Sequence, residues 1–185
     1  FTGERLNQSR RHSLTSWLVW HHSYGWLAKA ELTLGLALAL AEVMGLKENP
    51  QAIEQIVELT VDVQTTRTCM TSAELEPEMT ESGYALPGQL HVAAAGINTL
   101  RVRQRMSEIL RGLPCSSLAN APADADFDDP GMAAELEDAF GGGYSALQRA
   151  ALLQLTWDQV SSELNGREAA FELHASGGLE GWRGR

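Results

Sequence analysis

Apolar positions dominate the first quarter of this chain. From Leu14 to Leu46 there is no Pro, and only Gly25, Gly35 and Gly45 interrupt a run rich in Leu, Ala and Trp. Leu32, Leu34, Leu36, Leu38 and Leu40 alternate as in a strand, but the residues between them are Ala, Gly and Thr rather than a polar face. Ala and Leu are the strongest helix formers, so the run predicts one long helix buried on most sides. Asn49-Pro50 then opens a second helix, because Asn can cap free backbone N–H groups and Pro is tolerated in the first turn. Ile53, Ile56, Val57, Thr60, Val61 and Gln64 follow three- and four-residue steps and predict its inner stripe, with Pro77 near its end.

Glu78 to Gly88, with Gly83 and Pro87, reads as a loop, and a third helix is predicted from about Gln89 to Arg111 with Val92, Ala93, Ile97, Leu100 and Ile109 as core positions. Between Gly112 and Gly143 the composition shifts to Pro, Ser, Asp and Gly, an excursion holding a short helix from about Pro130 to Phe140, with Met132, Leu136 and Phe140 on one face. Ser145 is placed to cap a fourth long helix, in which Leu147, Ala151, Leu155 and Asp158 lie nearly in line. That helix is expected to reach about Leu164 and to resume after Gly166. No βαβ pattern, Gly-rich phosphate loop or internal repeat is visible. The expected fold class is all-α, a four-helix bundle, with residues 1–185 as a single helical domain.

Composition narrows the function classes. A chain of 185 residues with 44% hydrophobic and 21% charged residues can bury one sizeable core. The net charge of -10 argues against nucleic acid, which requires clustered Lys and Arg. Arg10-Arg11 and the series Arg101, Arg103, Arg105 read as solvated faces or oligomer contacts. Leu32 to Ala41 is about half the length of a membrane span, so no membrane partner is expected. Cys69 and Cys115 stand apart without a partner motif, which fits a cytoplasmic protein and no metal site. Phe1 opens the chain without an initiator Met, leaving processing, an isolated domain or a start partway along a longer polypeptide as alternatives.

Candidate chemistry lies in two places. His21-His22 stands in an apolar helix beside Trp17, Trp20, Tyr24 and Trp26, where an imidazole can donate or accept a hydrogen bond near neutral pH. Trp157 to Arg167 gathers small and polar residues in the fourth helix, and an interruption at Asn165-Gly166 would free backbone groups for a ligand. Against these, a satisfied core histidine and a self-satisfied kink are the plain alternatives. Asp124-x-Asp126-x-Asp128 lacks the Gly that a calcium loop needs at its sixth position, where Asp129 stands, so it reads as a solvated loop. No Glu-x-x-His pair offers an iron site.

Three blocks carry a family resemblance: His21 to Gly35 with Leu27-Ala28-Lys29-Ala30-Glu31-Leu32, the Met106 to Asp126 passage, and Trp157-Asp158-x-x-Ser-Ser-Glu-Leu-Asn-Gly-Arg-Glu. In this order they resemble the C-terminal domain of the 4-hydroxyphenylacetate 3-hydroxylase family, two-component flavin monooxygenases with an acyl-CoA-dehydrogenase-like architecture. The opening Phe1-Thr2-Gly3-Glu4 resembles the family's junction after its β-domain.

The resemblance implies an oxygenase that takes reduced FAD from a separate flavin reductase and uses molecular oxygen to hydroxylate a phenolic substrate. The N-terminal and β-domains that complete such an enzyme are absent here, so the isolated chain is expected to be inactive. The implied flavin contacts are Ser161, Ser162, Glu163, Leu164, Asn165, Gly166 and Arg167, with Ser161 and Asn165 standing where the family often has Gly. His21 and His22 are the implied catalytic candidates, as hydrogen-bonding groups near flavin or substrate. A homo-oligomer, tetramer or dimer, is also implied. In a related branch, 4-hydroxybutyryl-CoA dehydratase, a His and a Cys seven residues apart bind an iron–sulfur cluster; His21 matches the first, but Ala28 occupies the second position. A non-catalytic oligomerisation module is the third alternative.

Overall fold

A computed structural model describes the backbone of residues 3–175 and the side chains of residues 17–175. The opening Phe1-Thr2 and the Arg10-Arg11 side chains lie outside the described residues. The described residues form α1 (Gly3–Val43), α2 (Pro50–Leu75), β1 (Glu78–Met79), β2 (Ala85–Leu86), α3 (Gln89–Gly112), α4 (Pro130–Phe140), α5 (Ala146–Val160) and α6 (Glu163–Ala175). Short 3-10 turns at Cys115–Leu118 and Asp124–Phe127 lie between α3 and α4. The expected all-α class holds. The first helix begins eleven residues earlier than expected and passes Gly25 and Gly35 without a break.

Local chemistry sets the helix ends. At the end of α1, Leu46 N–H bonds the Ala41 carbonyl at 2.7 Å and Gly45 N–H bonds that of Glu42 at 3.2 Å. This Schellman arrangement requires a left-handed residue, and Gly45 supplies it with φ of 70°. The Asn49 side-chain oxygen caps α2, accepting from the Gln51 and Ala52 amides at 3.0 and 3.1 Å. Asp129 caps α4 just before Pro130, and Ser145 and Gln148 form a reciprocal capping box on α5. The acidic loop is thus partly consumed in capping: Asp126 accepts from the Ala123 amide at 2.8 Å, and Asp129 from Gly131 at 2.7 Å.

The chain divides into two compact units. The first comprises Phe1–Glu31, Leu59–Gln104 and Phe171–Arg185. Within it Val19 of α1, Ala73 of α2 and Val92 of α3 form a buried cluster, against which Trp20, Ala93, Ile97 and Leu100 pack. Asn98 ties α3 to α2 by donating to the Asp62 carbonyl at 3.0 Å and to Thr66 Oγ1 at 2.9 Å. The expected loop after α2 is a small antiparallel hairpin, pairing Glu78 with Leu86 and Met79 with Ala85. Its return is tight, because a Cβ on Gly88 would meet the Glu76 carbonyl oxygen at 2.6 Å.

The second unit comprises Leu32–Glu58 and Arg105–Ala170. Leu36, Ala37 and Leu40 of α1, Ile109 and Leu110 of α3, and Ala150, Leu153 and Thr156 of α5 are buried in it. α4 packs on α5, and the Glu137 carboxylate accepts from the Ala146 amide at 2.8 Å.

Two expectations about helix faces are corrected. The inner stripe of α2 runs through Ala52, Leu59, Val63, Thr66, Met70 and Ala73, whereas Ile53, Val57 and Val61 are 44%, 55% and 58% exposed. Leu59, Val63 and Met70 supply the bulk of the buried face, with Ala52, Thr66 and Ala73 between them. On α5, Leu147, Ala151, Leu155 and Asp158 share one side as expected, and that side is exposed. Arg103 and Arg105 are not merely solvated: Arg105 pairs with Glu58, and Arg103 pairs with Glu172.

Glu172 is a nearly buried carboxylate that also accepts from Lys29 Nζ at 3.2 Å, so α6 is tied to both α1 and α3 within the first unit. Removing its charge takes a carboxylate away from two partly buried cations. Glu172→Gln is therefore expected to lower stability by about 1–3 kcal/mol, read as a lower urea midpoint at neutral pH; an unchanged midpoint would show that the pairs contribute nothing net.

Candidate functional site

Consecutive residues on a helix point about 100° apart, so adjacent histidines cannot face one site equally. His21 is exposed, whereas His22 is partly buried, and their ring centroids lie 5.9 Å apart. The His22 ring sits 5.9 Å from that of Trp26, one turn further on and itself buried. His22 is thus the held imidazole of the pair. One residue beyond Leu27 stands Ala28, exposed and without any ligating atom, where the dehydratase pattern needs a thiolate. Among the described residues no group of three His, Cys, Asp or Glu side chains is arranged to hold a metal ion.

The same stretch of α1 carries Trp17, Trp20 and Tyr24 in edge-to-face contact. The Tyr24 hydroxyl donates to the Glu74 carboxylate of α2. Burial, with the adjacent Glu74 bond and charge, pushes the Tyr24 pKa up to about 12.

In the second unit, the interruption of the fourth helix lies at Ser161-Ser162, four residues before the expected Asn165-Gly166. Asn165 and Gly166 fall inside the opening turns of α6. The last carbonyls of α5 would be orphaned by the break. Each instead has a donor from the protein. Ser161 and Ser162 amides donate to the Trp157 carbonyl at 2.8 and 3.1 Å. Ser162 Oγ donates to Asp158 at 2.8 Å, and the Asn165 side-chain amide donates to Gln159. The Arg111 guanidinium of α3 reaches Val160 twice, at 3.1 and 2.6 Å. Ser162 Oγ also caps α6, accepting from the Asn165 amide at 3.1 Å.

The expectation that the break frees backbone groups for a ligand is therefore corrected for the α5 carbonyls, because the protein uses them itself. Asn165, which departs from the family's frequent Gly, has a structural task that Gly could not perform. What remains available is the outer face: Ser161, Glu163, Gly166 and Arg167 are exposed, and Leu164 is 66% exposed. The start of the 13-residue α6 thus presents an apolar side chain, a guanidinium and a hydroxyl on one exposed stretch. Arg111 is the supporting residue that spacing alone does not reveal.

The family described as 4-hydroxyphenylacetate 3-hydroxylase C terminal (HpaB) matches residues 10–184. The 4-hydroxyphenylacetate 3-monooxygenase oxygenase component of Thermus thermophilus is 31% identical over 146 residues, covering 78% of this chain and 30% of that protein. The pyoverdin chromophore biosynthetic protein PvcC of Pseudomonas aeruginosa is 30% identical over 149 residues, covering 79% of this chain and 26% of that one. Among solved structures, the oxygenase component HpaB complexed with FAD and 4-hydroxyphenylacetate aligns with a TM-score of 0.84 at 28% identity, over 89% of this chain and 35% of that chain. A 4-hydroxybutyryl-CoA dehydratase from N. maritimus aligns with a TM-score of 0.79 at 16% identity, over 92% of this chain and 35% of that one, a likeness of fold alone. The chain spans about a third or less of the length of the curated relatives it matches.

Two outcomes follow for the site. Arg111→Met strands the carbonyl of buried Val160 and is expected to cost about 1–3 kcal/mol, with faster amide exchange at the start of α6; unchanged exchange there would remove Arg111 from the account of the break. Because Tyr24 ionises later folded than unfolded, its stabilisation is complete below pH 10 and is lost as pH rises toward about 12. Wild type should accordingly lose stability more steeply across that window than Tyr24→Phe, as measured by denaturant midpoints at successive pH values.

Proposed function

This chain belongs to the 4-hydroxyphenylacetate 3-hydroxylase family, matching its C-terminal part, and from that membership we propose that it is the helical C-terminal domain of a two-component, FADH2-dependent phenol hydroxylase. On this proposal residues 1–185 act as one domain of a larger cytoplasmic oxygenase. The observation that carries the proposal is the match across residues 10–184, supported by the alignment with HpaB bearing FAD and 4-hydroxyphenylacetate.

Bound reduced flavin, supplied by a separate reductase, would provide the oxygen chemistry toward a phenolic substrate. The chain's own residues would bind and orient. Ser161, Ser162, Glu163, Leu164, Asn165, Gly166 and Arg167 form the proposed flavin contact, with Leu164 and Arg167 presented outward and Ser162 and Asn165 holding the turn that presents them. His21 and His22 are the proposed hydrogen-bonding groups, and the contact with Trp26 favours His22. The domain would also contribute to oligomerisation. The exposed Ile53, Val57 and Val61 stripe supports that part of the proposal, since a one-sided apolar face on a helix calls for cover.

In the complete oxygenase, His22→Ala is expected to cut hydroxylation by on the order of 10²-fold and to raise peroxide released per product formed. Unchanged product yield in both His21→Ala and His22→Ala removes the histidine assignment. Titration with reduced FAD, of this chain alone and beside its β-domain partner, tests the domain reading. Binding that needs both parts and weakens in Arg167→Ala supports it, and no binding in either arrangement leaves only the oligomerisation role.

A further inference from the structure

Trp17, Trp20 and Tyr24 follow one another at three- and four-residue steps on α1, so their rings form a row along one side of the helix. The ring centroids are 5.6 Å apart for Trp17 and Trp20 and 5.3 Å apart for Trp20 and Tyr24. The outer members reach solvent, while Trp20 packs against the Val19, Ala73 and Val92 cluster. Packing accounts for Trp20 but not for its two half-exposed neighbours or for the bond from Tyr24 to a carboxylate.

Two polar groups give the row a direction. The indole N–H of Trp20 is buried and meets no acceptor among the described residues. The Tyr24 hydroxyl donates to Glu74 Oε1. An indole that loses an electron there keeps its proton, and a cation radical in an apolar cluster is destabilised by desolvation. A phenol that passes its proton to a carboxylate as it loses an electron becomes a neutral radical and avoids that cost.

We propose that Trp17, Trp20 and Tyr24 form a one-electron relay that ends on Tyr24, with Glu74 as the proton acceptor, and that the relay carries oxidising equivalents out of this part of the protein. A radical derived from reduced oxygen takes one electron from the exposed Trp17, and Trp17 takes one electron in turn from Trp20. Tyr24 returns that electron to Trp20, and its phenolic proton moves to Glu74 Oε1, leaving a neutral tyrosyl radical and a carboxylic acid. A soluble thiol or ascorbate then donates one electron at the exposed edge of Tyr24, and Glu74 returns the proton. The net change is one-electron reduction of the oxidant and one-electron oxidation of the donor, with no carbon bond made or broken. The relay stands independently of the flavin reading.

The test uses the whole chain, a soluble ruthenium photosensitiser with a cobalt(III) electron acceptor, a nitroso spin trap and peptide mapping. Tyr84 is the internal control, because it is 71% exposed against 38% for Tyr24. Oxidation governed by access alone marks Tyr84 first. The relay predicts several-fold more adduct on Tyr24, an order-of-magnitude loss of that adduct in Trp20→Phe, and a similar loss in Glu74→Gln that Glu74→Asp reverses. In Tyr24→Phe the adduct should move to Trp17 and Trp20. Circular dichroism melting confirms that each variant is folded; if Trp20→Phe does not fold, Trp17→Phe and Glu74→Gln decide. Adduct greater on Tyr84 than on Tyr24, or a Tyr24 yield indifferent to the folded Trp and Glu74 variants, overturns the proposal.

Discussion

A helix that stops and restarts within a packed domain must find donors for the carbonyls it abandons, and this requirement governs the end of α5. Four successive carbonyls, from Trp157 to Val160, are taken up by two serine amides, a serine hydroxyl, an asparagine amide and an arginine guanidinium. Leaving even one of them buried and unpaired would cost about 1–3 kcal/mol. The break is consequently a rigid turn. Its rigidity gives the exposed face of α6 a defined position, which any ligand contact through Leu164 or Arg167 needs.

The first unit is organised by a different use of polar groups. There the carboxylates of Glu74 and Glu172 receive donors from other helices, Tyr24 in one case and Lys29 with Arg103 in the other. Both reach α1, whose apolar face already packs through Val19 and Trp20. The long helix is thereby held at its buried face by hydrocarbon and at its flank by charge-assisted bonds. His22 lies on this held stretch, which is why its ring has a packed neighbour in Trp26 while His21 turns to solvent.

What the amino-acid pattern reveals is the local chemistry. Asn49, Pro130 and Ser145 announce helix starts because a cap is a transaction among residues within four positions of one another, and all three stand where expected. The position of the α5 break was not legible, since one of its donors, Arg111, comes from another helix 49 positions away. The buried face of α2 was misread for a related reason. Ala52, Thr66 and Ala73 are buried, yet they score weakly as apolar residues beside Ile53, Val57 and Val61. The choice between His21 and His22 likewise depends on Trp26 packing, which spacing permits but does not dictate. The candidate site itself is named by family motifs, to which periodicity contributes nothing.

The outward face of α2 admits one further step. Fully burying a Val or Ile side chain is worth roughly 1.5–3 kcal/mol, and Ile53, Val57 and Val61 are each already about half covered. Completing their burial therefore contributes only about 2–5 kcal/mol, whereas bringing two proteins together costs about 4–15 kcal/mol in lost freedom. Over most of that range the stripe from this side alone does not offset the loss. It acts more readily as part of a wider contact, or as a surface against another part of the same polypeptide, where that loss of freedom is much smaller.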